Sequence, residues 1–119
     1  MTIKPGIISL VRFPHSDLVK GKYRPVIVLT PLPGPYDDWL ICAVTSQLHH
    51  KIDDWDEVIA PADSDFKSSG LKIPSLIRLS KLAAINSSIL EGILGEISKT
   101  RVRRLLNKLA KYLEEQSKK

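Results

Sequence analysis

Arg24 and Thr45 are the two side chains whose types and placement suit phosphate chemistry. Arg24 lies in Tyr23-Arg24-Pro25, ahead of an apolar stretch at 26–30, and Thr45 lies in Thr45-Ser46-Gln47, behind a second apolar stretch that begins at Trp39. An antiparallel hairpin turning about Gly34 and Pro35 pairs Arg24 with Thr45. Paired residues of such a ladder share a face, so a guanidinium and a hydroxyl would meet at the open end of the hairpin. The planar donor fork of arginine matches phosphate oxygens two at a time. Its permanent charge suits a phosphorane-like transition state but not proton abstraction. Thr45 would donate to a phosphoryl oxygen while Ser46 and Gln47 position backbone or base. The plainer reading makes Arg24 a solvated strand-entry residue and 45–47 an ordinary strand end. The register is what favours the first.

His15, His49 and His50 offer acid and base chemistry near neutral pH. His49 and His50 read as exposed loop residues. His15 precedes Arg24 in a loop able to fold over the same end of the hairpin, where Asp17 can orient it or pair with Arg24. The acidic pairs Asp37-Asp38 and Asp53-Asp54 are adjacent, and neighbours on a strand point to opposite faces, so neither makes a cation cage. They read as turn-solubilising residues. Asp63 and Asp65 lack a third ligand at calcium-loop spacing. Neither a metal nor a cofactor is expected. Trp39 reads as core, and Trp55, between Asp54 and Asp56, is a poor stacking platform beside phosphates.

The elements that must position these groups follow from periodicity. Residues 7–13 read as a first strand, 14–22 as a surface loop, and 26–30 and 39–46 as a central hairpin apolar on both faces. Residues 57–60 and 73–79 read as further strands, 61–72 as a loop, and 81–86 as one more short strand. Pro74 argues for an edge strand or a bulge. Residues 87–94 fit a short helix or a strand equally. Val102, Leu105, Leu106, Leu109 and Leu113 recur at helical spacing, with Ser98 as N-cap and Arg101, Arg103, Arg104, Lys108 and Lys111 at polar positions. That basic face reads as solvated. Short strands followed by a terminal helix predict an α+β fold on a small, strongly bent barrel.

At 119 residues the chain is expected to be a single domain spanning 1–119. A net charge of +5 favours a polyanionic partner, though basicity alone is a modest argument. The single cysteine, Cys42, lies in an apolar strand and can form no internal disulfide. Residues 1–6 lack the pattern of a signal peptide, and no stretch has the length of a membrane span, so a cytoplasmic setting without membrane contact is expected.

Together these residues resemble the MazF/PemK family of bacterial toxins. The likeness rests on Pro5-Gly6-Ile7-Ile8, Phe13-Pro14-His15-Ser16-Asp17, Lys22-Tyr23-Arg24-Pro25-Val26-Ile27-Val28-Leu29 and Ala43-Val44-Thr45-Ser46-Gln47. It extends to Ser69-Gly70-Leu71-Lys72-Ile73-Pro74-Ser75, to Arg78 with Lys81-Leu82, and to Leu94-Gly95-Glu96-Ile97-Ser98. The resemblance implies an SH3-like β-barrel of CcdB/PemK type with a C-terminal helix, usually a homodimer. It implies a metal-independent, sequence-selective endoribonuclease acting on single-stranded RNA, with the ribose 2′-hydroxyl as nucleophile and cyclic-phosphate and 5′-hydroxyl ends. The family's catalytic arginine and threonine map onto Arg24 and Thr45. RNA positioning maps onto His15, Ser16, Asp17, Lys20, Lys22, Ser46 and Gln47. A cognate antitoxin is the implied partner, its C-terminal segment filling the RNA groove, with DNA contacted only through the antitoxin complex. Ile7 departs from the family, which usually carries an acid after the first glycine. That change bears on local packing more than on chemistry.

The alternative on the same barrel is a non-enzymatic, CcdB-like toxin that binds DNA gyrase or another protein. The Arg24 and Thr45 pair argues against it, because a purely protein-binding toxin needs neither. A DNA-binding autoregulator rests on net charge alone.

Overall fold

The computed structural model describes residues 2–12 and 22–119. Six antiparallel strands, β1 (Ile7–Arg12), β2 (Tyr23–Pro31), β3 (Asp38–Thr45), β4 (Glu57–Ile59), β5 (Ser75–Asn86) and β6 (Glu91–Glu96), make one curled sheet in the order β4-β5-β3-β2-β1-β6. A single-turn helix α1 (Phe66–Ser69) precedes β5, and α2 (Lys99–Gln116) ends the chain. The result is the expected α+β fold, a half-barrel closed at one side by its C-terminal helix.

Alternation along β2 explains why its sequence is apolar without a break. Ile27 and Leu29 join one buried cluster with Ile8, Cys42 and Ile77, while Val26 and Val28 join another with Val11, Trp39 and Ile41. Each face of the sheet therefore has its own core. Val102, Leu105 and Leu109 of α2 cover the first, and burying each such side chain contributes about 1.5–3 kcal/mol. Ser98 caps this helix by accepting from the Arg101 amide at 3.1 Å, as predicted.

Three expectations need correction. The segments 73–79 and 81–86 are one strand, β5, interrupted by a bulge. Pro74 only precedes that strand, which lies between β4 and β3 rather than at an edge. Within 61–72 the loop winds into α1, and 87–94 resolves into a 3₁₀ turn, Ser87–Ile89, followed by β6. Periodicity over so few residues does not separate one turn of helix from a strand.

The basic helix face is not wholly solvated either. Arg101 is 6% exposed and donates to both carboxylate oxygens of Asp65, at 2.8 and 3.0 Å, and to Glu57 at 3.0 Å. Glu57 also accepts from Arg104 and Lys108, and Asp65 from the Ser98 amide. This network joins β4, the entry to α1 and the start of α2. Burial on its own would raise the pKa of Glu57 and Asp65. Hydrogen bonds from Arg104 and Lys108 to Glu57, and from Arg101 and the Ser98 amide to Asp65, outweigh that burial and hold each carboxyl at about 2. Folded values below the unfolded ones mean that this stabilisation is complete above the ordinary carboxylate range and is lost as pH falls toward 2. Thermal midpoints should therefore decline from about pH 5 downward, and a midpoint unchanged to about pH 3 would contradict the network.

α1 is seated on β6 by two glycines. A Cβ on Gly70, whose φ is +76°, would lie 2.1 Å from the Leu94 carbonyl oxygen, and one on Gly95 would lie 2.2 Å from that of Ser68. Backbone meets backbone there, so the following segment, Leu71 to Ser75, is held against the sheet. Gly95→Ala should destabilise the protein by about 2–3 kcal/mol, the upper end for overpacking, because the Cβ meets backbone that cannot rotate away. Gly92, at φ +74° with nothing within 4 Å, isolates the backbone cost. Gly92→Ala should cost about 1 kcal/mol, so equal losses in denaturant titrations of the two variants would refute the clasp.

Candidate functional site

Toward its open end the β2–β3 hairpin has the predicted register, with Val26 opposite Ala43, Ile27 opposite Cys42 and Val28 opposite Ile41, whereas nearer the turn a bulge shifts it by one, so that Thr30 faces Leu40 and Pro31 faces Trp39. The paired residues end at Val26 and Ala43, and two positions further on the same register would set Arg24 opposite Thr45. On its other side β3 pairs with β5, Ala43 facing Arg78 and Thr45 facing Leu76. Side chains in register share a face. A row of Val26, Ala43 and Arg78 thus lies beside a row of Arg24, Thr45 and Leu76. By that register Thr45 stands between Arg24 and Leu76, with Arg78 diagonal to it on β5, opposite Ala43.

All of these except the buried Leu76 line a groove of about 730 Å³ whose floor includes Val26, Ile41 and Ala43. Lys22, Arg24, Lys72, Arg78 and Lys81 bring five cations to it, and none of its lining residues, among those described, is acidic. Thr45 Oγ1 accepts from the Gln47 amide at 3.1 Å. That bond occupies a lone pair and leaves the hydroxyl proton to be donated elsewhere. Tyr23, at the groove wall, accepts from Arg12 at 2.5 Å and donates to Glu91 at 3.2 Å, so its ring is held from the β1 and β6 side.

A bulge aims the far wall. Cys42 pairs with Leu82 and Ala43 with Arg78, so Leu79, Ser80 and Lys81 are extra on β5. Asp56, 3% exposed, fastens them by accepting from the Ser80 amide at 3.1 Å and its hydroxyl at 3.2 Å, while also accepting from the Ile52 amide. Arg78 and Lys81 both face the groove as a result. Cys42 lies fully buried behind it. Burial, together with the charge of Asp56, pushes its thiol up to about 12, so it is a neutral packing group and no nucleophile.

The structure brings Lys22, Arg24, Thr45, Ser46 and Gln47 to one groove. His15, Ser16, Asp17 and Lys20 lie outside the described residues. His49 and His50 sit in an exposed 3₁₀ turn, edge to face with each other, and do not line the groove. The acidic pair Asp37-Asp38 does more than solubilise a turn: Asp37 accepts from the Trp39 indole at 2.8 Å and from Ser87, and Asp38 from Asn86. Lys72, Arg78 and Lys81 were not among the expected site residues. The available signal was an arginine inside the apolar run Leu76 to Leu79, where a charge without a role is costly.

A family model for the PemK-like, MazF-like toxin of type II toxin-antitoxin systems matches residues 4–113. The chain belongs to that toxin family. Among solved structures it is similar to an endoribonuclease in complex with its cognate antitoxin from a mycobacterial species, at 13% identity and a TM-score of 0.61, covering 95% of this chain and 96% of that one. It is also similar to the Mycobacterium tuberculosis toxin MazF-mt6, at 15% identity and a TM-score of 0.62, over 93% and 97% of the two chains. At that identity the likeness concerns the fold. A search of curated proteins by sequence finds no match.

Arg78 offers a direct probe of this PemK-like groove, because its buried Nε has no hydrogen-bond partner among the described residues. Replacing an unsatisfied buried donor by an apolar side chain of like length is close to neutral or stabilising. Arg78→Met should therefore melt at or above the wild-type midpoint while losing the stabilisation that inorganic phosphate confers on the wild type. A variant that melts lower, or that phosphate stabilises equally, would show Arg78 to be structural.

Proposed function

We propose that this toxin is a metal-independent endoribonuclease that cuts single-stranded RNA in the groove beside Thr45. The observation that carries the proposal is a strand-end hydroxyl whose proton is left over by its bond to the Gln47 amide, in a cationic groove that Arg24 and Arg78 also line and that has no acid among its described lining residues. The ribose 2′-oxygen attacks the adjacent phosphorus, the bond to the 5′-oxygen breaks, and the products are a cyclic phosphate and a 5′-hydroxyl. The 2′-hydroxyl proton leaves to a base, and the departing 5′-oxygen takes one up. Arg24 stabilises the charge that builds on the phosphoryl oxygens, and Thr45 donates a hydrogen bond to one of them. Lys22, Lys72 and Lys81 hold flanking phosphates, which positions the strand without reading it. Ser46 and Gln47, with His15, Ser16, Asp17 and Lys20 from the segment before Arg24, contact the RNA and set access and preference.

The proposed assembly is a homodimer in the cytoplasm, neutralised by a cognate antitoxin. Beyond the bulge, β5 pairs among the described residues with β3 alone and exposes Leu82, Ala83 and Ala84, an apolar edge that a second copy can cover beside the groove. DNA contact is expected through the antitoxin complex alone.

Removal of either group should cost about 100- to 1,000-fold in rate. Arg24→Ala and Thr45→Ala are assayed on a long single-stranded RNA with EDTA present throughout, and the cut ends are mapped. Wild-type cleavage with 5′-hydroxyl ends and slow variants support the mechanism. Variants as fast as wild type, or cleavage abolished by EDTA, would remove it, and gyrase capture without RNA fragments would favour the non-enzymatic alternative.

A further inference from the structure

A second groove, of about 440 Å³, shares no lining residue with the first and lies between the N-terminal segment and α2. Pro5, Val102 and Leu106 supply its apolar surface, and Lys4, Lys99 and Arg103 stand around it. The wall is built rather than incidental. Gly6, at φ +97°, donates to the Val28 carbonyl at 2.7 Å and accepts from the Ile97 amide at 2.9 Å, which fixes Pro5 beside the helix. A Cβ there would come within 3.1 Å of Val102, so this approach requires glycine.

The charges around the groove do not serve α2 itself. Its first turn has no acidic residue, and cations near a helix start oppose the macrodipole. Arg101 and Arg104 are neutralised by Asp65 and Glu57, whereas among the described residues Lys99 and Arg103 have no ion-pair partner. Lys4 pairs with Glu96 at 3.3 Å, and both remain about half exposed. None of the lining residues, among those described, is acidic. Unpaired cations around an apolar floor complement carboxylates flanking an apolar side chain. A nucleic acid would use the cations, but among the described residues no aromatic side chain lines the groove for a base to stack on.

We propose that this groove docks an acidic peptide segment of a partner protein, with one apolar side chain seated on Val102 and Leu106 and its carboxylates on Lys99 and Arg103. Because Gly6 and Pro5 are already held, little ordering is needed on binding. The surface is independent of the catalytic reading, since it shares no residue with the groove beside Thr45.

The test uses a short fluorescein-labelled peptide of alternating Glu and Leu, a control with Ser for Leu, and an oligouridylate of similar length. Anisotropy is measured on the full chain, on the exposed double variant K99E/R103E, and on Asn107→Trp, which fills the groove. The Glu/Leu peptide should bind the wild type, with each variant and the Ser control weakening binding about tenfold or more, corresponding to about 1.4 kcal/mol. RNA cleavage by both variants should be unchanged. Equal binding to the variants, equal binding of the Ser control, or displacement of the peptide by the oligouridylate would each overturn the proposal.

Discussion

The register of β3 with its two neighbours is the constraint on which the groove depends. A strand paired on both sides cannot slide without turning its whole apolar set to the wrong face, and here each face has its own core. Ile27 and Cys42 belong to one cluster and Val28 and Ile41 to the other, so both faces forbid a slip of one residue. That double penalty is what sets Thr45 opposite Leu76 on one side and in line with Arg24 on the other. No direct bond between the two is needed to place them together.

Around this fixed strand, the walls of the groove are positioned by groups that take no part in it. Asp56 organises the bulge that turns Arg78 and Lys81 inward, and the close contact of Gly70 and Gly95 seats the segment carrying Lys72 and Ile73. The Arg101 network then ties that segment's helix, β4 and α2 into one frame. Buried ion pairs add little net stability over apolar packing, but losing one partner strands a charge. Their effect here is to specify which elements meet.

Parts of this arrangement were legible from residue order. The hairpin was read from two apolar stretches and a Pro/Gly turn, and the helix from leucines at helical spacing after Ser98, because both are local patterns. The twelve-residue β5 was divided in two, since a bulge held by an acid more than twenty positions away leaves no periodic trace. Arg101 was assigned to solvent for the same reason: its partners, Asp65 and Glu57, are remote in sequence.

The sequence by itself determined which side chains could do the chemistry, an arginine and a threonine brought level by a hairpin, and the family whose motifs surround them. Tertiary structure alone decided that Arg78, Lys72 and Lys81 complete a cationic groove about Thr45, and that Lys4, Lys99 and Arg103 border a second, apolar one. The physical reason is range. Strand alternation and helix periodicity act over a few residues, whereas the charge and shape of a cavity are summed over segments that meet only when the sheet curls and α2 closes on it.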